Sequence, residues 1–305
     1  MNKTRLLHGL VAATVTPFDE SGDLDLARVG PMVDFLIASG VSGLYVCGST
    51  GEGVSLDQQE RKEAAAAFVK AAAGRVPVVV QVGHNSLRAA ADLAAHAEAA
   101  GAAAVSATCP SYFPVRTVRA LTASMREIAA AAARTPFYYY HIPALTGSDV
   151  DMLQFLREAG EQLPNLRGLK FTAPTAYHFQ ECLELDAGRF EVLWGVDEML
   201  LSALAVGCYG AVGSTYNIAA PLHRRLIAAF ERGDLAAARQ CQAQVLAFLR
   251  VLTSMPYHAA LRETLALLGQ PCGTSRLPNL GLSPEQRQHL RTALEALGFF
   301  SWVKP

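Results

Sequence analysis

Val76-Pro-Val-Val-Val-Gln-Val82 is an apolar run interrupted only by Gln81. A strand with one wet face alternates apolar and polar residues, whereas one covered on both faces reads as a continuous apolar stretch. The run therefore points to a parallel sheet sandwiched by helices. Its flanks agree. Upstream, Ser55-Leu-Asp-Gln58 reads as a capping box opening a helix to about Ala73. Downstream, Asn85 or Ser86 caps a helix that ends at Gly101. The alternation extends in both directions. Further strands are predicted at 9–17, 41–47, 103–107, 136–142, 167–171, 189–195 and 209–213. Helices fall between them: 26–39, capped by Asp25, then 117–134, 149–159, 176–185, 197–206 and 218–232. Eight strands alternating with helices over about 230 residues predict a (β/α)₈ barrel, an α/β fold of the TIM type. An open doubly wound sheet is the competing fold, but no dinucleotide or phosphate fingerprint accompanies this chain. Beyond Gly233 only helices are expected, at 234–254, 257–268 and 283–297, the last opened by Ser283-Pro-Glu-Gln286. The division expected is a catalytic barrel, 1–232, and a C-terminal helical extension, 233–305.

Composition removes several function classes. The 305 residues carry a formal net charge of −1 and no basic tract, which argues against nucleic acid or an anionic membrane surface as partner. No apolar run reaches the roughly 18 residues of a membrane span. Met1 to His8 lacks the apolar core of a signal peptide. The cysteines, at 47, 109, 182, 208, 241 and 272, are scattered and form no C-x-x-C. That usage predicts reduced thiols, a cytoplasmic location and no metal site.

Chemistry is sought first at lysine, which is scarce: Lys3, Lys62, Lys70, Lys170 and Lys304. Lys62 and Lys70 fall in a polar, alanine-rich helix. Lys170 alone lies between apolar residues, in Arg167-Gly-Leu-Lys-Phe-Thr172. Loss of hydration there favours the neutral, nucleophilic amine, which suits a Schiff base. The other reading is a stem that packs and a head that snorkels to water. In a barrel, functional groups collect at the carboxyl ends of the strands. By that rule the candidates are Thr14, Thr16, Ser49, Thr50, Glu52, Tyr112, Tyr140, His141, Lys170, Thr172, Asp197, Glu198, Ser214, Tyr216 and Asn217.

The glycine-rich turn Gly48-Ser-Thr-Gly-Glu-Gly53 can gather backbone N–H groups into a nest for a small carboxylate. It can equally be a tight strand–helix turn; it is neither a Walker loop nor G-x-G-x-x-G. Along Tyr138-Tyr139-Tyr140 the side chains alternate, so Tyr138 and Tyr140 share a face. A Tyr140 facing the mouth can relay protons; an aromatic core is the alternative. His141 reads as a satisfied structural histidine. Asp197-Glu198 suits hydroxyls of a polyol, or simply a charged helix start.

Taken together, Gly48 to Gly53, Tyr140-His-Ile-Pro-Ala-Leu-Thr-Gly147 and Gly168-Leu-Lys170 resemble, in order and spacing, the dihydrodipicolinate synthase/N-acetylneuraminate lyase family. The likeness runs from about Leu10 to at least Leu249. It implies a class I aldolase, a carbon–carbon lyase, on a barrel with a helical tail, working without metal or organic cofactor as a homotetramer. Within the family, the stretch Phe137 to Gly147, Gly195-Val-Asp-Glu198 and Gly210 to Asn217 are most similar to the branch that splits N-acetylneuraminate into N-acetylmannosamine and pyruvate. The resemblance implies that Lys170 forms the Schiff base with pyruvate and Tyr140 shuttles the proton. Tyr112 would support that tyrosine, across a subunit contact in some members. Ser49 and Thr50 would hold the pyruvate carboxylate, while Thr172, Gly195, Asp197, Glu198 and Ser214 line the sugar side. Dihydrodipicolinate synthases carry an arginine where this chain has Leu145, and losing a charge-assisted carboxylate clamp weakens that alternative. A lyase for another 2-keto-3-deoxy acid and a non-catalytic pyruvate-binding barrel are the remaining alternatives. Cys47, the loop 173–178 and Ser111-Tyr-Phe-Pro114 depart from the usual pattern.

Overall fold

The computed structural model describes residues 5–304; Lys3 and the first half of the Met1 to His8 segment, read as lacking a leader, lie outside the described residues. Eight parallel strands close on themselves in sequence order: β1 (Gly9–Ala13), β2 (Gly43–Val46), β3 (Val78–Gln81), β4 (Ala104–Ala107), β5 (Phe137–His141), β6 (Leu166–Phe171), β7 (Glu191–Trp194) and β8 (Gly210–Gly213). β8 returns to pair with β1, so no sheet edge is left open. The helices are α1 (Val29–Ala38), α2 (Gln58–Ala72), α3 (Leu87–Ala99), α4 (Val118–Ala130), α5 (Pro143–Thr146), α6 (Met152–Gln162), α7 (Ala176–Glu184), α8 (Leu200–Ala205) and α9 (Tyr216–Glu231). The tail adds α10 (Leu235–Thr253), α11 (Tyr257–Leu267), α12 (Pro284–Leu297) and α13 (Phe299–Trp302). The expected barrel with C-terminal helices is the fold.

Strand alternation divides the core in two. Inside the barrel pack Val11, Tyr45, Val79, Tyr138, Tyr140, Leu193 and Val212. Outside, against the helices, pack Val80, Val105, Tyr139, Leu169, Phe171 and Trp194. Both faces of β3 are buried throughout, which is why Val76–Val82 reads without alternation. Tyr138 and Tyr140 share the inner face and Tyr139 takes the outer one, as the period of two requires.

Local signals were partly out of place. The capping box of α2 is Asp57 with Glu60, two residues beyond Ser55-x-x-Gln58. Two overlapping signatures compete there, and the carboxylates win because each accepts a backbone N–H at the positive end of the helix. Asp25 caps nothing; its carboxylate takes the Arg28 guanidinium at 2.7 Å, and residues 26–28 form a 3₁₀ turn before α1. Ser86 caps α3, while Asn85 accepts from the backbone N–H of Ser111 and Tyr112 and so pins the loop after β4. α9 opens at Tyr216 rather than 218 and is kinked at Ala219, ahead of Pro221. The box at Ser283 and Gln286 forms as read.

Candidate active site

The parallel register puts Tyr140 of β5 directly beside Lys170 of β6. Both point inward and both are buried, with 3% and 4% exposure. The Lys170 Nζ lies 3.9 Å from the centroid of the Tyr140 ring and 4.3 Å from that of Tyr45, the two rings meeting edge-to-face. An ammonium over two aromatic faces is attracted by their quadrupoles, which offsets part of its lost hydration. Among the described residues no carboxylate pairs with Lys170. Tyr45 was missed at the sequence level. Its phenol donates to Ser106 Oγ at 3.0 Å, and burial raises its pKa well above the ordinary phenol.

The glycine turn follows β2 at the same end. Ser49 is half-buried and Thr50 buried. Among the described residues the backbone N–H groups of Ser49, Thr50 and Gly51 reach no carbonyl, so the turn offers donors as a nest does. Gly53 must be glycine, because a Cβ there would run into the carbonyl of Cys47. Cys47 itself is inert packing: burial pushes its thiol up to about 11.

Opposite the turn, Asp197 is buried after β7. Its Oδ2 accepts from Thr215 N at 2.8 Å, Thr215 Oγ1 at 2.6 Å and Ser214 Oγ at 3.5 Å. Burial raises its carboxyl pKa; the Thr215 donors and the Lys170 charge pull it back. Glu198 is exposed at the rim, where partial burial and then the neighbouring Asp197 raise its carboxyl. Ser214 Oγ lies 2.6 Å from the phenol of Tyr257, contributed by α11. Thr172 follows Lys170 on the inner face, its hydroxyl buried and unpaired, with Gly195 against it. A Cβ at 195 would strike that hydroxyl, so the glycine keeps Thr172 open.

The structure thus brings together Lys170, Tyr140, Ser49, Thr50, Thr172, Gly195, Asp197 and Ser214 at the carboxyl end of the barrel. Tyr112 is not among them: it is 80% exposed, its ring 5.0 Å from that of Phe113 on the loop pinned by Asn85. His141 is buried between Tyr139 and Phe171, but it is not satisfied, since Nδ1 has no partner; burial lowers its pKa to about 4. It lines a cavity of about 490 Å³ on the outer side of β5 and β6, away from the lysine. Sequence reasoning also missed Tyr257 and Arg262 of the tail. Arg262 carried a signal: it stands three residues from Ala259 and from Leu265, on the apolar face of its helix.

A closed parallel barrel with one inward amine at its carboxyl mouth, beside two phenols and a donor-rich turn, has the architecture of a Schiff-base aldolase. Comparison with known proteins narrows the class. Residues 6–297 match the Dihydrodipicolinate synthetase family, and the chain belongs to it. It is 43% identical to the N-acetylneuraminate lyase of Xenopus tropicalis, over 89% of this chain and 90% of that one. Among solved structures it resembles Proteus mirabilis N-acetylneuraminate lyase, with a TM-score of 0.94 and 38% identity over 97% of this chain and all of that one. A dihydrodipicolinate synthase of Bacillus anthracis aligns with a TM-score of 0.89 at 26% identity, covering 95% of this chain and 98% of that one.

Proposed function

We propose that this protein is a class I aldolase that cleaves N-acetylneuraminate to N-acetylmannosamine and pyruvate through a Schiff base on Lys170. The observation that carries the reading is the register pairing of Lys170 with Tyr140 at the barrel mouth. The Lys170 amine attacks the C2 ketone of the open-chain substrate and water leaves, giving a protonated imine. The C3–C4 bond then breaks. Its electron pair flows into the imine to form an enamine, and the proton of the C4 hydroxyl passes to a base. Tyr140 is that base, and Tyr112, reaching across a subunit contact, supports it. The enamine takes a proton at C3, and hydrolysis returns the amine and releases pyruvate.

Ser49, Thr50 and the turn hold the keto acid's carboxylate. Thr172, Gly195, Asp197, Glu198 and Ser214 bind the polyol arm, which suits a wall of acceptors and hydroxyls. In this reading residues 1–232 carry the chemistry and 233–305 form an extension that completes the wall with Tyr257. Leu145, 63% exposed on α5, offers no charge to the carboxylate of an amino-acid semialdehyde. Assembly as a homotetramer is supported by Tyr112 and Phe113, each 80% exposed, and by Val54, 88% exposed. Light scattering on the eluting protein measures that assembly. Six free cysteines favour a reducing compartment, so we assign the enzyme to the cytoplasm. A panel of keto acids, with pyruvate release as readout, tests the substrate. Rapid release from N-acetylneuraminate is expected. Faster condensation of pyruvate with aspartate semialdehyde, or pyruvate binding without turnover of any keto acid, would replace the reading.

A further inference from the structure

We infer that Arg262, on α11 of the tail, is a positioning residue for the carboxylate nest at Ser49–Gly51. This rests on the reading that the turn takes the carboxylate of the keto acid.

The turn is not held by its own backbone alone. Glu52 closes it in the left-handed region, at φ 53°, where a side chain other than glycine is strained. Arg262 supports that residue from 210 positions away. Its Nε and Nη2 both donate to Glu52 Oε1, at 3.0 and 2.7 Å, and the two side chains are 2% and 1% exposed. The same Nη2 donates to the carbonyl of Thr16 at 2.9 Å, and Thr16 Oγ1 donates to the carbonyl of Gly51 at 2.7 Å. One guanidinium therefore fixes both residues that grip the end of the turn. Nη1 is tied to the Cys272 carbonyl at 2.8 Å, so the fork cannot swing. Only a planar fork supplies these directions together; an ammonium is a point donor.

A buried ion pair is a weak source of stability, because removing both charges from water costs about what their attraction returns. What this one does provide is direction. With the end of the turn held this way, the N–H groups of Ser49, Thr50 and Gly51 make no backbone hydrogen bond among the described residues and are left for a ligand. The tail is then part of the pyruvate site through the residues it holds in place.

The test uses the full chain, with R262K and R262Q compared with wild type. Pyruvate is titrated in the presence of borohydride, which reduces the imine to a stable secondary amine on the lysine. The half-saturating pyruvate concentration and the limiting rate are read separately. Circular dichroism checks the fold, and half-saturation by N-acetylmannosamine at saturating pyruvate reports the sugar side. We expect half-saturating pyruvate to rise about ten- to a hundredfold in R262Q, with R262K between it and wild type. Half-saturation by the amino sugar should stay the same. If R262Q does not fold, R262K decides by the same shift. Unchanged pyruvate half-saturation in a folded variant, with only a smaller active fraction, would overturn the inference and leave Arg262 a structural residue. No adduct on the wild type would instead overturn the Schiff-base reading beneath it.

Discussion

The two ends of the barrel are built from the same strands and reach opposite ends. At the amino end, Glu191 opens β7 and is buried. Its carboxylate accepts from the backbone of Leu6 at 2.9 Å, from the phenol of Tyr138 at 2.7 Å and from the Arg167 guanidinium at 2.6 Å. Two residues further along β5 and three along β6, at the carboxyl end, Tyr140 and Lys170 form no such closed circuit. There, among the described residues, Thr14 Oγ1, Thr172 Oγ1 and Asn217 Oδ1 are buried without a partner. An unpaired buried polar atom costs free energy, so these groups gain from any hydrogen-bonding partner that enters the mouth. The amino end spends its polar groups on each other and holds the barrel shut. The carboxyl end keeps them available.

Variants should break the two ends differently. K170M should lower lyase activity by about 10⁴-fold or more. Its thermal midpoint should equal or exceed that of wild type, because a buried polar amine is replaced by an apolar chain. E191A should do the reverse. Chemical denaturation should find the fold weaker by about 2–4 kcal/mol, with turnover per folded molecule little changed. If E191A instead lost turnover at full stability, the contrast between the ends would fail. Y140F should cut kcat by about a hundredfold or more while pyruvate still forms its reducible adduct, separating proton transfer from imine formation.

The smallest effect is one of pH. Burial lowers His141 and His223 to about 4, below the ordinary 6.5. Between those values the unfolded chain binds more protons than the folded one. Stability is therefore full above about 6.5 and lost as pH falls towards 4, by up to about 1.4 kcal/mol per pH unit for each histidine. Asp197, raised by burial, has the opposite slope around its own pKa. Comparing H223Q with wild type across that window isolates the histidine: a flatter curve is expected, and an identical slope would contradict it.

Much of this was legible because it is periodic. Eight βα units leave a pattern that one misplaced cap does not disturb, and the rule of the carboxyl end then selects Lys170, Tyr140 and Asp197. What stayed hidden depends on contacts between distant segments. Nothing near Tyr257 indicates that its phenol meets Ser214, 43 residues earlier. Tyr45 lies in a strand buried on both faces, so its neighbours do not say which way it points. His141 read as satisfied because a sequence cannot count hydrogen bonds. Tyr112 followed the strand rule, yet it stands in solvent in the single chain.

The most direct measurement is the mass of the purified protein after pyruvate and borohydride, followed by peptide mapping. One reduced pyruvate adduct per chain, confined to the peptide that contains Lys170 and absent in K170M, is the predicted result. No adduct, or an adduct on a surface lysine such as Lys62 or Lys70, would contradict the assignment of the chemistry to the barrel mouth.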